Sequence, residues 1–299
     1  MIRYIEEDAV ASRERGEEGK VNLPHFFFLM PFNLVGNLVL SRDLLSSRSK
    51  EGKEFFDAMN EGATYIRPCQ EIKRNMVREM GRAMKIMSSF VEDRIDEVKL
   101  RKEKPTKDLL DALLEHTGEG TISNQNEMFF AGSETTSSTM EWAMAELLRN
   151  PESMKKAKEE LDRVIGVYRK IEEGDMDNLS YLQAVTKETL RLHPALPLLI
   201  PRNGMRETNY FGYLIPRRHR SLGQNFELIP FGSGRRICVG ISLAHKVVHL
   251  ALASLLYYFD WELGNNMSPE AIDMNKRFGI TVIKLIPLEA ISKKRVMYP

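Results

Sequence analysis

The chain has 299 residues, and 43 Lys and Arg balance 42 Asp and Glu, which gives a formal net charge of +1. This balance leaves no strong field to attract nucleic acid or an anionic membrane surface, so neither is expected as the main partner. Hydrophobic residues make up 42% of the chain and charged residues 28%, as in a globular protein of one large domain or two smaller ones.

The first strongly apolar segment is HFFFLMPFNLVGNLVL, residues His25–Leu40. Pro31, Asn33, Gly36 and Asn37 interrupt it, and a membrane span needs about 20 mostly apolar residues. We therefore interpret this segment as a buried helix or the wall of a pocket. The charged residues that precede it contain no apolar run typical of a signal peptide.

Helical periodicity dominates the rest of the chain, with apolar residues at three- and four-residue steps. Pro151 and Gly166 are typical of the start and the end of one such helix, and Asn150 is its expected N-cap. The predicted helices are Gln70–Glu103, Lys107–Thr117, Glu127–Arg149, Pro151–Gly166, Leu179–Leu192 and Gly240–Trp261.

Strand-like segments are few. YFGYLI (Tyr210–Ile215) lies in a region rich in Pro and Gly, and the tail FGITVIKLIPLEA (Phe278–Ala290) alternates enough to predict a terminal pair of strands. Strands and helices do not alternate regularly, so a doubly wound parallel sheet is not expected. The predicted fold class is mainly α with a small β part.

The most informative segment is PFGSGRRICVG, Pro230–Gly240, which holds one of only two cysteines. A dinucleotide motif that starts at Gly232 would need a glycine where Ile237 stands, and the P-loop sequence is absent. A cysteine nucleophile needs a histidine within hydrogen-bond reach, but His245 lies two turns down the next predicted helix. The other cysteine, Cys69, is remote in sequence, so a disulfide or zinc motif is not expected and a reducing compartment fits.

Cys238 lies at or just before a predicted helix N-terminus, where free N–H groups and the helix dipole stabilise a thiolate. Arg235 and Arg236 add positive charge, the glycines let the backbone approach a flat, bulky group, and Phe231 can pack against it. A thiolate that ligates the iron of a planar, dianionic macrocycle fits each of these features.

The sequence FGSGRRICVG matches the pattern F-x-x-G-x-R-x-C-x-G at every fixed position. It resembles the haem-binding signature of the cytochrome P450 haem-thiolate monooxygenases. The resemblance implies haem b (iron protoporphyrin IX) as the cofactor and Cys238 as the axial iron ligand. It also implies Arg236 as a propionate contact, and Phe231, Gly234 and Gly240 as the loop that shields the sulfur.

Two further segments stand in the order that the family has. AGSETT (Ala131–Thr136) resembles its oxygen-activation motif, which implies proton delivery by Glu134 and Thr135. Taken alone, this motif is a weak signal, because Ser and Thr in helices usually bond back to the backbone. KETLRLHP contains Glu188 and Arg191 and resembles the family's E-x-x-R, a pair that the family buries.

Arg202 follows in IPRN and matches the basic residue that usually pairs with the second propionate. By the same resemblance, Leu198–Ile200 and Phe278–Thr281 would form walls of the substrate pocket. The segments FELIPFGSGRRICVGISLAHKVVHL and LGNNMSPEAIDMNKRFGITV most resemble plant microsomal members of the geraniol-hydroxylase and N-methylcoclaurine-hydroxylase kind.

The sequence also departs from the family pattern. The N-terminal membrane anchor is missing, and between YLIPRRHR and GQNFELIP there is no meander, whose arginine completes a triad with Glu188 and Arg191. A half-satisfied buried charge network costs on the order of several kcal/mol. We therefore expect an incomplete cytochrome P450 fold, with one partial haem-thiolate monooxygenase domain over residues 1–299.

By resemblance, the expected function is hydroxylation of a small apolar plant metabolite, such as a terpenoid or an alkaloid. The reaction would use O₂ and electrons that NADPH supplies through the NADPH–cytochrome P450 reductase. The alternative is a non-catalytic remnant that cannot form a working haem pocket. The family implies the cytosolic face of the endoplasmic reticulum membrane, whereas a chain without the anchor would be cytoplasmic, and both locations stay open.

Overall fold

The N-terminal region contributes two helices and one short strand. Helix α1 (Ile2–Glu14) leads to strand β1 (Lys20–Asn22) and then to helix α2 (Leu23–Leu40), which Asn22 caps by accepting a hydrogen bond from the His25 N–H. Most of α2 is buried, so the apolar segment is a buried helix, as predicted. The computed structural model describes residues 1–41, 43–46, 54–58, 78, 81–83, 85–86, 88–93, 122–166, 169–200, 202–203, 207–215, 220–221, 229–264, 266–279 and 281–295.

Four longer helices follow in the described chain: α3 (Ile122–Arg149), α4 (Pro151–Ile165), α5 (Ser180–Leu192) and α6 (Ile241–Tyr258). Helix α3 is central, because it contacts α2 and each of the other three. A Cβ at Gly132 of α3 would lie 3.0 Å from Val35 Cγ2 of α2, so this glycine allows the two helices to approach closely.

Within the described residues, nine short strands form four antiparallel sheets. Strand β9 is the centre of the only three-stranded sheet among them and pairs with β1 on one side and β6 on the other. The other sheets are the pairs β2–β5, β3–β4 and β7–β8. The bounds are β2 Arg202–Asn203, β3 Thr208–Tyr210, β4 Tyr213–Ile215, β5 Arg220–Ser221, β6 Phe259–Glu262, β7 Lys276–Phe278, β8 Val282–Lys284 and β9 Glu289–Lys294.

The predicted fold class is confirmed: the described chain is mainly helical with small antiparallel sheets. The segment YFGYLI forms the β3–β4 hairpin, whose turn has positive φ at Phe211 (50°) and Gly212 (83°), the conformation that favours tight hairpins. The tail forms the β7–β8 hairpin and strand β9. The middle helix predicted at Glu127–Arg149 begins earlier, at Ile122.

Three details of the predicted helices differ. The helix predicted to reach Trp261 ends at Tyr258, because the next residues alternate buried and exposed and pair with β9 as strand β6. Only the second half of α6 is deeply buried, from Val248 onwards. Asn150 does not cap α4 with its side chain, since its amide donates instead to the Glu146 carbonyl.

The two predicted helices between α2 and α3 fall largely outside the described residues. Of Gln70–Glu103, residues 78, 81–83, 85–86 and 88–93 are described and are helical. The prediction for Lys107–Thr117 lies outside the described residues. By length and composition, α2 and α6 could each cross a membrane, but most of α2 is buried inside the protein.

Candidate active site

The acid of the AGSETT segment is buried against the C-terminal hairpin. Glu134 lies on α3, and the hydroxyl of Thr281 donates a 2.9 Å hydrogen bond to its Oε1. Burial raises the pKa of Glu134 to about 6, while the Thr281 hydrogen bond and the charge of Arg277 oppose that rise. The carboxyl therefore changes charge close to neutral pH, where a general acid works best.

Thr135, the next residue of α3, lies on a different face, because adjacent residues of a helix do not face each other. Its hydroxyl donates a 2.6 Å hydrogen bond to the Ala131 carbonyl, one turn earlier. This is the backbone bond that helical threonines commonly make. Ala131 itself is exposed, so this face of α3 is open at the position of the predicted oxygen-activation motif.

The tip of the β7–β8 hairpin ties several segments to α3. The Ser138 hydroxyl donates to the Val282 carbonyl at 2.8 Å, and the Val282 N–H donates to the Ala195 carbonyl at 2.8 Å. The two predicted pocket walls, Leu198–Ile200 and Phe278–Thr281, therefore belong to segments that are hydrogen-bonded to each other and to α3. Exposed apolar side chains are available on both: Leu198, Ile200 and Phe278.

A buried polar cluster lies two turns further along α3. Glu141 accepts a 2.9 Å hydrogen bond from the Leu288 N–H, and burial raises its pKa to about 7. Trp142 is fully buried, with the His193 ring stacked on it at 3.9 Å and the Lys284 ammonium 5.0 Å from its centroid. These contacts hold the hairpin against α3 from a second side.

The cysteine loop is a tight turn that ends at α6. The Cys238 N–H donates a 2.9 Å hydrogen bond to the Phe231 carbonyl. Gly240 is the N-cap of α6, so Cys238 lies just before the helix N-terminus, as predicted. Gly234 has a φ of 67°, a left-handed conformation in which glycine carries no steric cost.

Four consecutive side chains of this loop, from Arg236 to Val239, face outwards. Cys238 is a free, exposed cysteine, and the apolar neighbours Ile237 and Val239 are 50% and 100% exposed. Arg236 is also exposed, and the Phe231 ring packs 5.1 Å from His245 of α6. The sulfur therefore lies on an apolar surface at the positive end of a helix.

The remaining predicted residues lie at the surface or beyond the described atoms. Arg202 is in strand β2, and its side chain lies outside the described residues. Glu188 and Arg191 form a bidentate ion pair with N–O distances of 2.8 and 2.6 Å, but their side chains are 54% and 55% exposed. The pair that the family buries is a surface pair in this chain.

The structure brings Glu134 together with the hairpin more directly than with the cysteine loop. In the described part of the chain, no hydrogen bond joins Cys238 to Glu134 or Thr135. Helix α6 begins just after Cys238 and packs against α3, which carries Glu134 and Thr135. This packing is what connects the cysteine loop to those two residues. No three His, Cys, Asp or Glu side chains converge on a possible metal site within the described ranges, so a multi-ligand metal centre has no support there.

A family model described as Cytochrome P450 matches residues 6–220 and 217–287, which together cover most of the chain. The chain belongs to the cytochrome P450 family. This confirms the resemblance carried by the cysteine loop and identifies the chain as an oxidoreductase of the monooxygenase class. The two matched pieces overlap at residues 217–220.

Similar proteins include three plant P450s. The chain is 49% identical to an iridoid oxidase of Catharanthus roseus, with 99% of this chain and 68% of that protein aligned. It is 41% identical to cytochrome P450 76A1 of Solanum melongena (98% and 75% aligned) and 35% identical to a geraniol 8-hydroxylase of Catharanthus roseus (97% and 69% aligned).

The alignments also show that this P450 is internally shortened. The alignment with the iridoid oxidase runs over 353 positions, more than the 299 residues of this chain. The relative therefore carries dozens of residues within the aligned region that this chain lacks. The expectation of an incomplete P450 fold is confirmed.

Membership of the family implies a haem cofactor, and the residues of the cysteine loop fit one. A thiol sulfur is a suitable axial ligand for haem iron, and Cys238 presents it to the outside, just before the N-terminus of α6. The exposed apolar side chains of Ile237 and Val239 offer a surface that a flat apolar ring would cover. A Cβ at Gly240 would lie 3.8 Å from the sulfur, so glycine leaves this side of the cysteine less crowded.

Sequence reasoning missed the buried partners of Glu134. Thr281 was predicted only as part of a pocket wall, and Arg277, Glu141 and Lys284 were not predicted to have any role. The available signal was weak: Glu141 is a charged residue within a predicted core helix, and the Leu288 N–H and the Lys284 charge that act on it are more than 100 residues away in sequence.

Proposed function

We propose that this P450 is a haem-thiolate monooxygenase that hydroxylates a small apolar plant metabolite of the terpenoid type. The carrying observation is the cysteine loop, which folds as a tight turn and presents the Cys238 sulfur just before the N-terminus of α6. The substrate class rests on the names of the relatives, an iridoid oxidase and a geraniol 8-hydroxylase.

The loop residues take the following roles in this proposal. Cys238 would ligate the iron of haem b, and Arg236 and Arg202 would bind its two propionates. Phe231, Gly234 and Gly240 shape and shield the loop around the sulfur. The N–H groups at the start of α6 place positive partial charge beside the sulfur of Cys238.

Bound haem would supply the oxidising chemistry, and the sulfur of Cys238 would donate electron density to its iron. One oxygen atom enters a C–H bond of the substrate as a hydroxyl. The other atom leaves as water after uptake of two protons and of two electrons, which NADPH gives through the NADPH–cytochrome P450 reductase. Glu134 and Thr135 supply the protons, Glu134 through a carboxyl that titrates near neutral pH and Thr135 through its hydroxyl.

The substrate lies against apolar side chains. Leu198, Ile200 and Phe278 are exposed on two segments that are hydrogen-bonded together, and they suit a small apolar molecule without charged groups. A single domain over residues 1–299 carries these parts. The enzyme works at the cytosolic face of the endoplasmic reticulum membrane, where the reductase is located.

The deciding experiment is a carbon monoxide difference spectrum of the dithionite-reduced protein, expressed with haem supplied. We expect a strongly red-shifted Soret band, which reports thiolate ligation of iron. Cys238→Ala abolishes this band, whereas the matched variant Cys69→Ala keeps it, since Cys69 is the other cysteine of the chain. A band that survives Cys238→Ala would overturn the ligand assignment.

One observation favours a second candidate, a non-catalytic remnant. The Glu188–Arg191 pair is on the surface, and the segment that would bury it in the family is missing. A remnant of this kind would fold without forming the haem site. Absence of the red-shifted band in the unmodified chain, with haem supplied, would select this candidate over the enzyme.

The proton-delivery role is tested separately by Thr135→Ala. We expect haem binding to persist while the product formed per NADPH falls about tenfold or more, with the missing electrons recovered as hydrogen peroxide. Thr139→Ala is the matched control, because Thr139 makes the same backbone bond one turn later, to the Thr135 carbonyl. Unchanged product yield in Thr135→Ala would contradict the assignment.

A further inference from the structure

The Glu134 carboxyl is held by a hydrogen bond from the β7–β8 hairpin. Thr281 lies at the tip of the β7–β8 hairpin, is fully buried, and donates to Glu134 at 2.9 Å across 147 residues of sequence. Two other hydrogen bonds fix the same tip, from Ser138 to the Val282 carbonyl and from Val282 to the Ala195 carbonyl. Of these three bonds, only that of Thr281 involves a group that can change its charge.

The tip also carries part of the predicted substrate wall. Phe278 is paired with Val282 across the hairpin, and its side chain is half exposed. Any movement of the tip relative to α3 would therefore move Phe278 as well. The position of this wall and the position of the Glu134 carboxyl are linked by one hydrogen bond.

We propose that Thr281 is a positioning residue for Glu134, and that their hydrogen bond is a latch between the hairpin wall and α3 that is stronger when Glu134 is ionised. A hydroxyl bound to a carboxylate makes a stronger, charge-assisted bond than one bound to a neutral carboxyl. Uptake of a proton by Glu134 weakens this bond, and so links proton delivery to one of the contacts that hold the substrate wall. The role of Glu134 as the acid rests on the proposed function, whereas the latch itself does not.

The surroundings of Glu134 support a titration in the working range. Arg277 of β7 is the charged group that acts on it in the described structure. Glu134 in turn raises the pKa of Glu141 on α3, and Lys284 of β8 opposes that rise. Burial raises the pKa of Glu134, and Arg277 and the Thr281 hydroxyl limit the rise. The Thr281 hydroxyl therefore binds a carboxylate at pH 8 and a neutral carboxyl at pH 5, so this bond is the stronger at pH 8.

Amide hydrogen exchange of the full chain tests the latch through peptides that span residues 276–284. At pH 8, Thr281→Val should increase the opening of this hairpin about tenfold, the value of a hydrogen bond to a charged group. At pH 5 the same substitution should change it much less, because the wild-type bond is already weakened. Thr281→Ser keeps the hydroxyl, so this variant should show the same exchange as the wild-type protein. The β3–β4 hairpin, residues 208–215, is the internal control and should not respond.

The Glu134→Gln background separates positioning from mere packing. Thr281→Val should have the same small effect at both pH values in that background, since the titrating partner is gone. Equal effects of Thr281→Val at pH 5 and pH 8 in the otherwise unmodified chain would overturn the proposal, as would failure of Thr281→Ser to restore exchange. These outcomes do not depend on haem, so they remain distinct from loss of the carbon monoxide band, which would overturn the proposed function.

Discussion

Two regions of this P450 are packed in opposite ways. The hairpin cluster, defined here as Glu134, Glu141, Trp142, Thr281 and Lys284, is buried and tied to three elements by hydrogen bonds and ring contacts. The cysteine loop, Pro230–Gly240, presents its sulfur and two apolar side chains to solvent.

The difference indicates which parts of this shortened chain are self-sufficient, that is, fully packed by residues that the chain itself contains. The hairpin cluster is completed by residues of α3 and the C-terminal tail, all of which are present. The cysteine loop is complete in sequence, but its apolar face has no cover from the described chain beyond the Phe231–His245 contact. In a P450, haem and the surrounding polypeptide would supply such a cover, so the loss of internal segments should weaken the loop far more than the cluster.

The largest effect expected from this comparison is on Trp142. It is fully buried between the His193 ring and the Lys284 ammonium, so Trp142→Ala should lower the free energy of unfolding by about 3–5 kcal/mol. Val239→Ser in the cysteine loop should change it by less than about 0.5 kcal/mol, because that side chain is fully exposed. Urea unfolding of both variants, without added haem, gives the comparison. A loss at Val239 as large as that at Trp142 would show that the loop is packed after all.

A smaller effect is expected from the charge of Glu141. Its folded pKa of about 7 lies above its ordinary value of 4.5, so it contributes stability that is present below pH 4.5 and lost as the pH rises through 7. Burial lowers the pKa of His193, which acts in the opposite sense: its contribution is present above pH 6.5 and lost as the pH falls. A substitution at Glu141 isolates the first contribution from the second.

Glu141→Gln keeps the oxygen that accepts from the Leu288 N–H and removes the charge. We expect it to match the wild-type protein at pH 5 and to be more stable by about 2 kcal/mol at pH 8, as measured by urea unfolding at both pH values. The exposed residue Glu159 provides the control. Glu159→Gln should change the free energy of unfolding by the same amount at pH 5 and at pH 8. If Glu141→Gln also changed the free energy of unfolding equally at both pH values, Glu141 would have to reach solvent in the folded protein.

The two regions also differ in how far the sequence predicts them. The cysteine loop could be predicted because its chemistry is local: ten adjacent residues set the turn, the helix start and the ligand. The helices followed from periodicity, although α6 ended early because β6 pairs with the distant strand β9. The hairpin cluster could not be predicted, since the contact of Glu134 with Thr281 depends on tertiary packing, which no local pattern encodes.

The smallest effect is expected from the Glu188–Arg191 pair, and it tests the comparison most directly. Both side chains are more than half exposed, so solvent screens their attraction and the pair should add little to stability. In a double-mutant cycle of Glu188→Gln and Arg191→Gln, we expect a coupling too small to measure by urea unfolding at physiological salt. A coupling comparable with the loss at Trp142 would instead mean that the pair is buried in solution. In that case the haem side of this chain would be as self-sufficient as the hairpin cluster, and the enzyme would be favoured over the remnant before any spectrum is recorded.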